Sequence, residues 1–181
     1  MRIIAGKHQR RIIHPPSNLP VRPTTDLAKE ALFNVLNNHF DFEGLLVIDL
    51  FAGTGSISYE FASRGAAEVI AVENHFKCVE FIQQSIRELK LDNLKVVRAD
   101  VFRFLLYCRP GFDVIFADPP YDMDGIEKIP QVVFERDLLA PGGWLVLEHP
   151  AGKHFETFPN FVKERKYGRV HFSIFEKPDI S

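Results

Sequence analysis

The apolar positions change their spacing along the chain. From residue 45 onward, short apolar runs without alternation take turns with stretches of helical spacing. The runs Leu45-Leu46-Val47-Ile48-Asp49-Leu50, Glu68-Val69-Ile70-Ala71-Val72-Glu73, Leu94-Lys95-Val96-Val97-Arg98-Ala99 and Phe112-Asp113-Val114-Ile115-Phe116-Ala117 predict strands covered on both faces. Between them, residues 56–64, 75–89 and 101–108 predict helices. In the second of these, Cys78, Val79, Ile82, Ile86 and Leu89 share one side. A helix over 125–138 is expected ahead of Pro141-Gly142-Gly143, which turns into a strand at Trp144-Leu145-Val146-Leu147-Glu148. Strand-like runs at 160–166 and 169–176 meet at Tyr167-Gly168, and Val170, Phe172 and Ile174 alternate with polar residues there. Repeated strand–helix units predict an α/β domain whose mostly parallel sheet carries helices on both faces. The closing pair predicts an antiparallel strand at one edge.

The first 25 residues read differently, and the division expected is an N-terminal arm over 1–25 and a single domain over 26–181. Ile3-Ile4 and Ile12-Ile13 flank Gly6-Lys7-His8-Gln9-Arg10-Arg11, which predicts a small hairpin with basic residues at its tip. Pro15, Pro16, Pro20 and Pro23 exclude a helix there and predict a stiff, extended connection. Thr25 or Asp26 then caps a helix in which Leu27, Ala31, Leu32, Val35 and Leu36 fall on one face, ending near Asn37-Asn38.

Charge sharpens this division. The arm holds Arg2, Lys7, Arg10, Arg11 and Arg22 and no acid, a charge of +5 on a chain whose net charge is −2. A basic arm on an acidic body is the footprint of a protein that touches phosphates at one place, and Lys7, Arg10, Arg11 and Arg22 are the candidate phosphate contacts. The alternative is a solvated tail. At 181 residues the chain suits one domain with a sizeable core, and it has no apolar run of membrane-spanning length. The N-terminus lacks the apolar core of a signal peptide. Two cysteines, Cys78 and Cys108, form neither a disulfide framework nor a metal site, so a reducing cytoplasm is expected.

The candidate chemistry lies at the strand ends. Asp49-Leu50-Phe51-Ala52-Gly53-Thr54-Gly55-Ser56 joins the first strand to its helix, where doubly wound sheets bind ligands. A dinucleotide fingerprint requires a third glycine where this chain has Ser58. Asp49 would also repel a pyrophosphate. An acid there attracts a cationic ammonium and sulfonium instead, the groups of S-adenosylmethionine. Glu73 ends the second strand, positioned to accept the hydroxyls of an unmodified ribose, and Asp100 follows the third, positioned to accept from an adenine amino group or simply to cap the next helix.

Asp118-Pro119-Pro120-Tyr121 follows the fourth strand. The prolines stiffen the loop, so that Asp118 and the Pro119 carbonyl present two acceptors beside the flat face of Tyr121. That set suits a planar group bearing an NH2. A plain strand-to-loop turn capped by Asp is the bland alternative. Hydrogen bonds from the amine to Asp118 and Pro119 would localise its lone pair, and Tyr121, or Phe51 beside the cofactor, would hold the ring by stacking. Methylation of a pyrimidine carbon would need a thiolate nucleophile, and neither cysteine follows a strand end.

Taken together, these segments resemble the bacterial 16S rRNA (guanine-N2)-methyltransferases of the small-subunit methyltransferase D type. The resemblance rests on Arg2-Ile3-Ile4-Ala5-Gly6-Lys7, Arg22-Pro23-Thr24-Thr25-Asp26, Glu30-Ala31-Leu32-Phe33-Asn34, the Asp49–Gly55 turn, Ser63-Arg64-Gly65-Ala66 and Asp118-Pro119-Pro120-Tyr121. It implies a seven-stranded class I methyltransferase fold, S-adenosylmethionine as donor, and a guanine of 16S rRNA in the small subunit or its assembly intermediate as acceptor. A monomer is expected. Two rivals stay open: an adenine-N6 methyltransferase acting on DNA or RNA, and a non-catalytic RNA-binding or ribosome-assembly factor. A nicotinamide oxidoreductase is disfavoured by Ser58 and Asp49.

Overall fold

The computed structural model describes residues 1–22 and 24–179. Pro23, expected to stiffen the connection before the first helix, lies outside the described residues, as do Ile180 and Ser181 at the end of the expected domain. The elements run α1 (Asp26–Asn37), β1 (Leu46–Leu50), α2 (Ser56–Ser63), β2 (Glu68–Glu73), α3 (Phe76–Leu89), β3 (Leu94–Arg98), α4 (Val101–Tyr107), β4 (Phe112–Ala117), α5 (Lys128–Glu135), β5 (Leu139–His149), β6 (Phe161–Tyr167) and β7 (Val170–Glu176).

The seven strands form one sheet in the order β3-β2-β1-β4-β5-β7-β6. Pairing is parallel from β3 through β5, while β7 runs antiparallel to both β5 and β6. The expected antiparallel strand therefore sits at that end of the sheet, one place in from the rim. The winding direction reverses between β1 and β4, which opens a crevice at their carboxyl ends.

Period-two alternation divides the core into two layers. Val47, Val69, Ala71, Val114, Phe116 and Val146 face α1, α2 and α3, with Leu32, Phe33, Ile57, Phe61 and Ile82 packed on them. Ile48, Leu50, Ile70, Val72, Ile115 and Leu147 face the other way, toward Val101 and Leu105 of α4 and Ile129 and Val133 of α5. The edge strand β6 carries Lys163, Glu164, Arg165 and Lys166 in succession, a charged rim that discourages pairing with another sheet.

Three expectations need correction. The α1 face turns further round than expected: Leu27 is 77% exposed, whereas Ala28, Lys29, Leu32, Phe33 and Leu36 are buried. A buried lysine rotates the helix, and Phe33 completes the seat by packing against Phe42 and Phe61. Helix α5 is shorter than 125–138, because Gly125–Glu127 forms a separate turn and Asp137 adopts a left-handed conformation that stops the helix. Pro141-Gly142-Gly143 lies inside β5, not before it, at a register shift against β4 between Phe112 and Val114. A Cβ at Gly143 would meet the carbonyl oxygens of Ala140, Phe112 and Asp113 at 2.8 to 3.1 Å, so only glycine fits there.

Residues 1–13 form the expected hairpin, closed by Ile3 N–H to Arg11 and Ile13 N–H to Met1 and pinned to the body from beneath. Glu60 of α2 is fully buried, and its carboxylate accepts from Ile4 N–H at 2.9 Å, Ala5 N–H at 3.0 Å and Arg64 Nε at 3.0 Å. Lys29 Nζ lies 3.5 Å from the same carboxylate and donates to the Arg2 carbonyl and to Ser56 Oγ. Burial holds the Lys29 ammonium below the ordinary lysine range, and Glu60 opposes that. Gly6 rests so closely on α2 that a Cβ there would run into the Ser63 carbonyl.

Removing one partner of a buried ion pair leaves the other charge unpaired. Glu60→Ala is therefore expected to lower unfolding free energy by about 3–5 kcal/mol. Hydrogen exchange at the Ile4 and Ala5 amides should rise ahead of exchange in β1, and unchanged protection of those amides would contradict the clamp.

Candidate active site

Parallel strands bring their carboxyl ends to one rim, and acids recur along it. Asp49 is the penultimate residue of β1, Glu73 the last of β2, Asp118 the first beyond β4, and Glu148 the penultimate residue of β5. Register sets them side by side: Leu50 pairs with Ala117, and Ala117 with Leu147.

Asp49 is 1% exposed, and Ser58 Oγ donates to it at 2.6 Å. Burial lifts its carboxyl to about 7; the Ser58 bond opposes the shift and the Glu73 charge adds to it. Ser58 thus supports an acid through the first turns of α2, a role not visible when the residue was read only as a missing glycine. The turn itself is tight. Gly55 precedes α2 in a left-handed conformation, and a Cβ there would lie 2.6 Å from the Tyr59 ring. Phe51 also takes a positive φ of 59°, at the mouth of the crevice. At Gly53 a Cβ would face Val21 at 3.7 Å, so the connection between arm and α1 passes over this turn.

A cavity of about 520 Å³ opens beside the turn, in the size range of small-molecule sites. Phe51, Glu73, Asp100 and Pro120 line it, together with Asn74, Phe76 and Phe102, which sequence reasoning did not single out. Burial raises the Glu73 carboxyl, and backbone N–H groups of His75, Gly53 and Asn74 pull it back. Asp100 caps α4, accepting from Arg103 N–H at 3.1 Å, while it stands on the cavity wall. The capping reading of Asp100 therefore holds, and its place on the wall leaves it facing the cavity as well. Asp49, Gly53, Gly55 and Asp118 are not part of the lining. Asp49 lies between the two halves of the site, within electrostatic reach of both Glu73 and Asp118.

The second half of the site is built around Asp118. No described residue donates to its carboxylate, and burial, then Glu148, then Asp49 drive its carboxyl well above the usual range. Its backbone N–H reaches the Leu50 carbonyl at 3.4 Å, tying the loop across to β1. The Pro120 carbonyl is taken by Met123 N–H, whereas the Pro119 carbonyl accepts no described backbone bond. Tyr121 is half exposed, and its hydroxyl donates to Glu148 Oε1 at 3.2 Å. The other Glu148 oxygen, Oε2, is buried without a partner. Glu148 escaped the sequence reading because it looked like the plain end of a strand. Its place in the series Asp49, Glu73, Asp118 was the available signal.

At the arm, Lys7, Arg10, Arg11 and Arg22 are all exposed, and none makes an ion pair among the described residues; Arg2 alone of the arm's cations is paired, with Asp26 at 3.4 Å. The His8 imidazole is held below its ordinary range by burial and by the charges of Lys7 and Arg11.

The chain is similar to known proteins along its whole length. It is 33% identical to YlbH of Bacillus subtilis, an rRNA methyltransferase by provisional name, over 98% of this chain and 99% of that protein. It is 30% identical to ribosomal RNA small subunit methyltransferase D of Haemophilus influenzae, over 97% of this chain and 93% of the relative. Among solved structures, the Escherichia coli protein yhhF, described as a methyltransferase, superposes with a TM-score of 0.87 at 27% identity, covering 99% and 98% of the two chains. The Thermus thermophilus 16S rRNA N2 G1207 methyltransferase, solved with AdoMet and guanosine, superposes with a TM-score of 0.69 at 25% identity, covering 88% of this chain and 45% of that one. The family described as conserved hypothetical protein 95 matches residues 1–176, and the chain belongs to that family; several of the chain's relatives carry the name ribosomal RNA small subunit methyltransferase D.

Proposed function

We propose that this protein transfers a methyl group from S-adenosylmethionine to the N2 amine of a guanine in 16S rRNA of the small ribosomal subunit, in the cytoplasm. The observation that carries the reading is the Asp118–Tyr121 loop, whose partly buried carboxylate has no internal donor among the described residues and stands at the reversal point of the sheet. The names of the full-length relatives support rRNA of the small subunit as substrate, and the guanosine-bound Thermus structure supports the base.

The residues present fit that donor. The glycine turn is flanked by acids, which disfavours a phosphate and favours a cation. Asp49 would hold the ammonium side of the donor, Glu73 the ribose hydroxyls, and Phe51 and Asp100 the adenine side of the cavity. When bound, S-adenosylmethionine supplies an activated methyl group on a sulfonium. Asp118 and the Pro119 carbonyl accept the two N–H groups of the target amine, turning its lone pair out of conjugation and toward the cavity. The new N–C bond would form as the methyl's bond to sulfur breaks with its electron pair staying on sulfur, and the proton that the alkylated amine sheds would pass to the Asp118 carboxylate. Tyr121 and the prolines hold the base plane against the loop. An adenine-N6 enzyme would use the same loop, so the identity of the methylated nucleoside separates the two readings.

Unmethylated small subunits incubated with the enzyme and labelled donor are expected to yield N2-methylguanosine on nucleoside analysis; label in N6-methyladenosine would overturn the assignment. Asp118→Ala is expected to lower kcat at least roughly 10³-fold while RNA affinity stays within about twofold, as for a group acting mainly in the transition state.

Asp49 makes the empty protein sensitive to pH. Its folded-state value of about 7 lies above the ordinary carboxylate range, so the folded state keeps a proton that the unfolded chain releases. Stability from this group is full below about pH 4, declines as pH rises, and is lost above about pH 7, an effect on the order of 4 kcal/mol. Asp49→Asn should therefore raise the melting temperature of the donor-free protein more at pH 8 than at pH 4. The same variant should weaken donor binding and flatten its rise between pH 6 and 8. Parallel melting curves for both proteins across that range would refute the role of Asp49.

The exposed arm cations are read as phosphate contacts. Replacing Lys7, Arg10 and Arg11 by alanine is expected to weaken RNA binding and to reduce the slope of log affinity against log salt by about 0.7–0.9 for each phosphate no longer neutralised. An unchanged slope would return the arm to a solvated surface.

A further inference from the structure

Two acceptors on the Asp118 loop do not distinguish one amino-bearing base from another. Adenine, cytosine and guanine each carry an exocyclic amine with two N–H groups. They differ at the neighbouring ring nitrogen. Adenine N1 and cytosine N3 are bare acceptors, whereas guanine N1 carries a hydrogen and donates. Any residue that reads this difference must stand beside Asp118 and present a polar atom of one sign.

Glu148 meets that description. It lies one residue beyond the paired Ala117 and Leu147, at the register position adjacent to Asp118. Its side chain is fixed at one end, where Oε1 accepts from the Tyr121 hydroxyl at 3.2 Å. Oε2 is buried and has no donor within the described residues. A buried carboxylate oxygen left without a donor is costly, so a free one beside a candidate base site points to a donor arriving with the ligand. The Glu148 charge helps to raise the Asp118 carboxyl, as expected of an acid at the adjacent register position.

From this geometry we infer that Glu148 is the base-reading residue of the site: its free carboxylate oxygen accepts from guanine N1–H while Asp118 and the Pro119 carbonyl accept from the N2 amine. The inference rests on the guanine-N2 reading above and specifies how that base is selected. Three donors along one edge of guanine then meet three acceptors. Adenine or cytosine offered to the same pocket would set a ring-nitrogen lone pair against a carboxylate, leaving two acceptors facing each other without a proton between them. A site built to pair with a donor rejects an analogue lacking it far more strongly than one that merely excludes a misfit by shape. Tyr121 acts here as a positioning residue, since its hydroxyl holds the other oxygen of Glu148.

The test replaces the target guanosine, once mapped, by 2-aminopurine ribonucleoside in 16S rRNA reassembled into small subunits. This base keeps the 2-amine and lacks the N1 hydrogen. Transfer of labelled methyl is measured as kcat/KM on both substrates for the wild-type enzyme and for Glu148→Gln, with donor binding and melting temperature as checks of folding. Glutamine keeps the shape and still accepts from Tyr121, but it can present an amide N–H where the free oxygen was. The wild type is expected to favour guanosine by on the order of 100-fold or more. Glu148→Gln should lose activity on guanosine and narrow that ratio at least tenfold, or invert it. Comparing the two ratios cancels the intrinsic difference between the amines. A ratio in the variant within a few fold of the wild type's would overturn the inference, even if absolute rates fall. Should the variant fail to fold, wild-type rates that are equal on the two bases would overturn it and a 100-fold preference for guanosine would support it. If the wild type forms no N2-methylguanosine on the unaltered subunit, the proposed function itself fails, an outcome distinct from an unchanged ratio.

Discussion

Carboxylates crowded into a poorly solvated rim are the constraint on which this structure turns. Asp49, Glu73, Asp118 and Glu148 lie at the ends of neighbouring strands, and burial raises the carboxyl of each. Like charges held this close cannot all ionise without a compensating cation. The chain supplies little compensation of its own: one serine hydroxyl, one tyrosine hydroxyl and a few backbone N–H groups. A sheet that ended in this way for stability alone would be poorly built. Such local cost is expected where a positively charged ligand is to be received.

The same charge rule is applied with opposite result on the other side of α2. Glu60 is as deeply buried as Asp49, yet it is surrounded by two backbone N–H groups, a guanidinium and an ammonium. Here the acid is satisfied internally and its work is structural. Comparing the two shows that burial alone does not set a carboxylate's state. What separates them is the supply of donors.

Much of the architecture was legible because it depends on pattern. Unbroken apolar runs between helical stretches located β1 through β4 closely, and the acids at their ends followed from counting. Side-chain partnerships were less legible. Lys29 and Glu60 were hidden because charged residues are ordinarily assigned to the surface, so the α1 face was placed too near Leu27. Ser58 was judged by the glycine it replaces, not by the hydroxyl it brings to Asp49. Glu148 carried no motif, and its relation to Asp118 exists only once β4 and β5 are paired. The bend inside β5 was read as a turn because Pro141-Gly142-Gly143 is turn chemistry in sequence, although the chain continues through it as a bulged strand.

The docked hairpin has one more implication. Ile3 and Ile13 are buried, and the backbone between them is fastened to α2 at Ile4, Ala5, Lys7 and His8. Its cationic tip therefore stands in a settled shape in the free protein. A polyanion approaching it meets charges already in formation, and the conformational entropy that a floppy basic tail would surrender on contact has been given up during folding instead. Any attraction at this surface then acts on a shape already set with respect to the crevice.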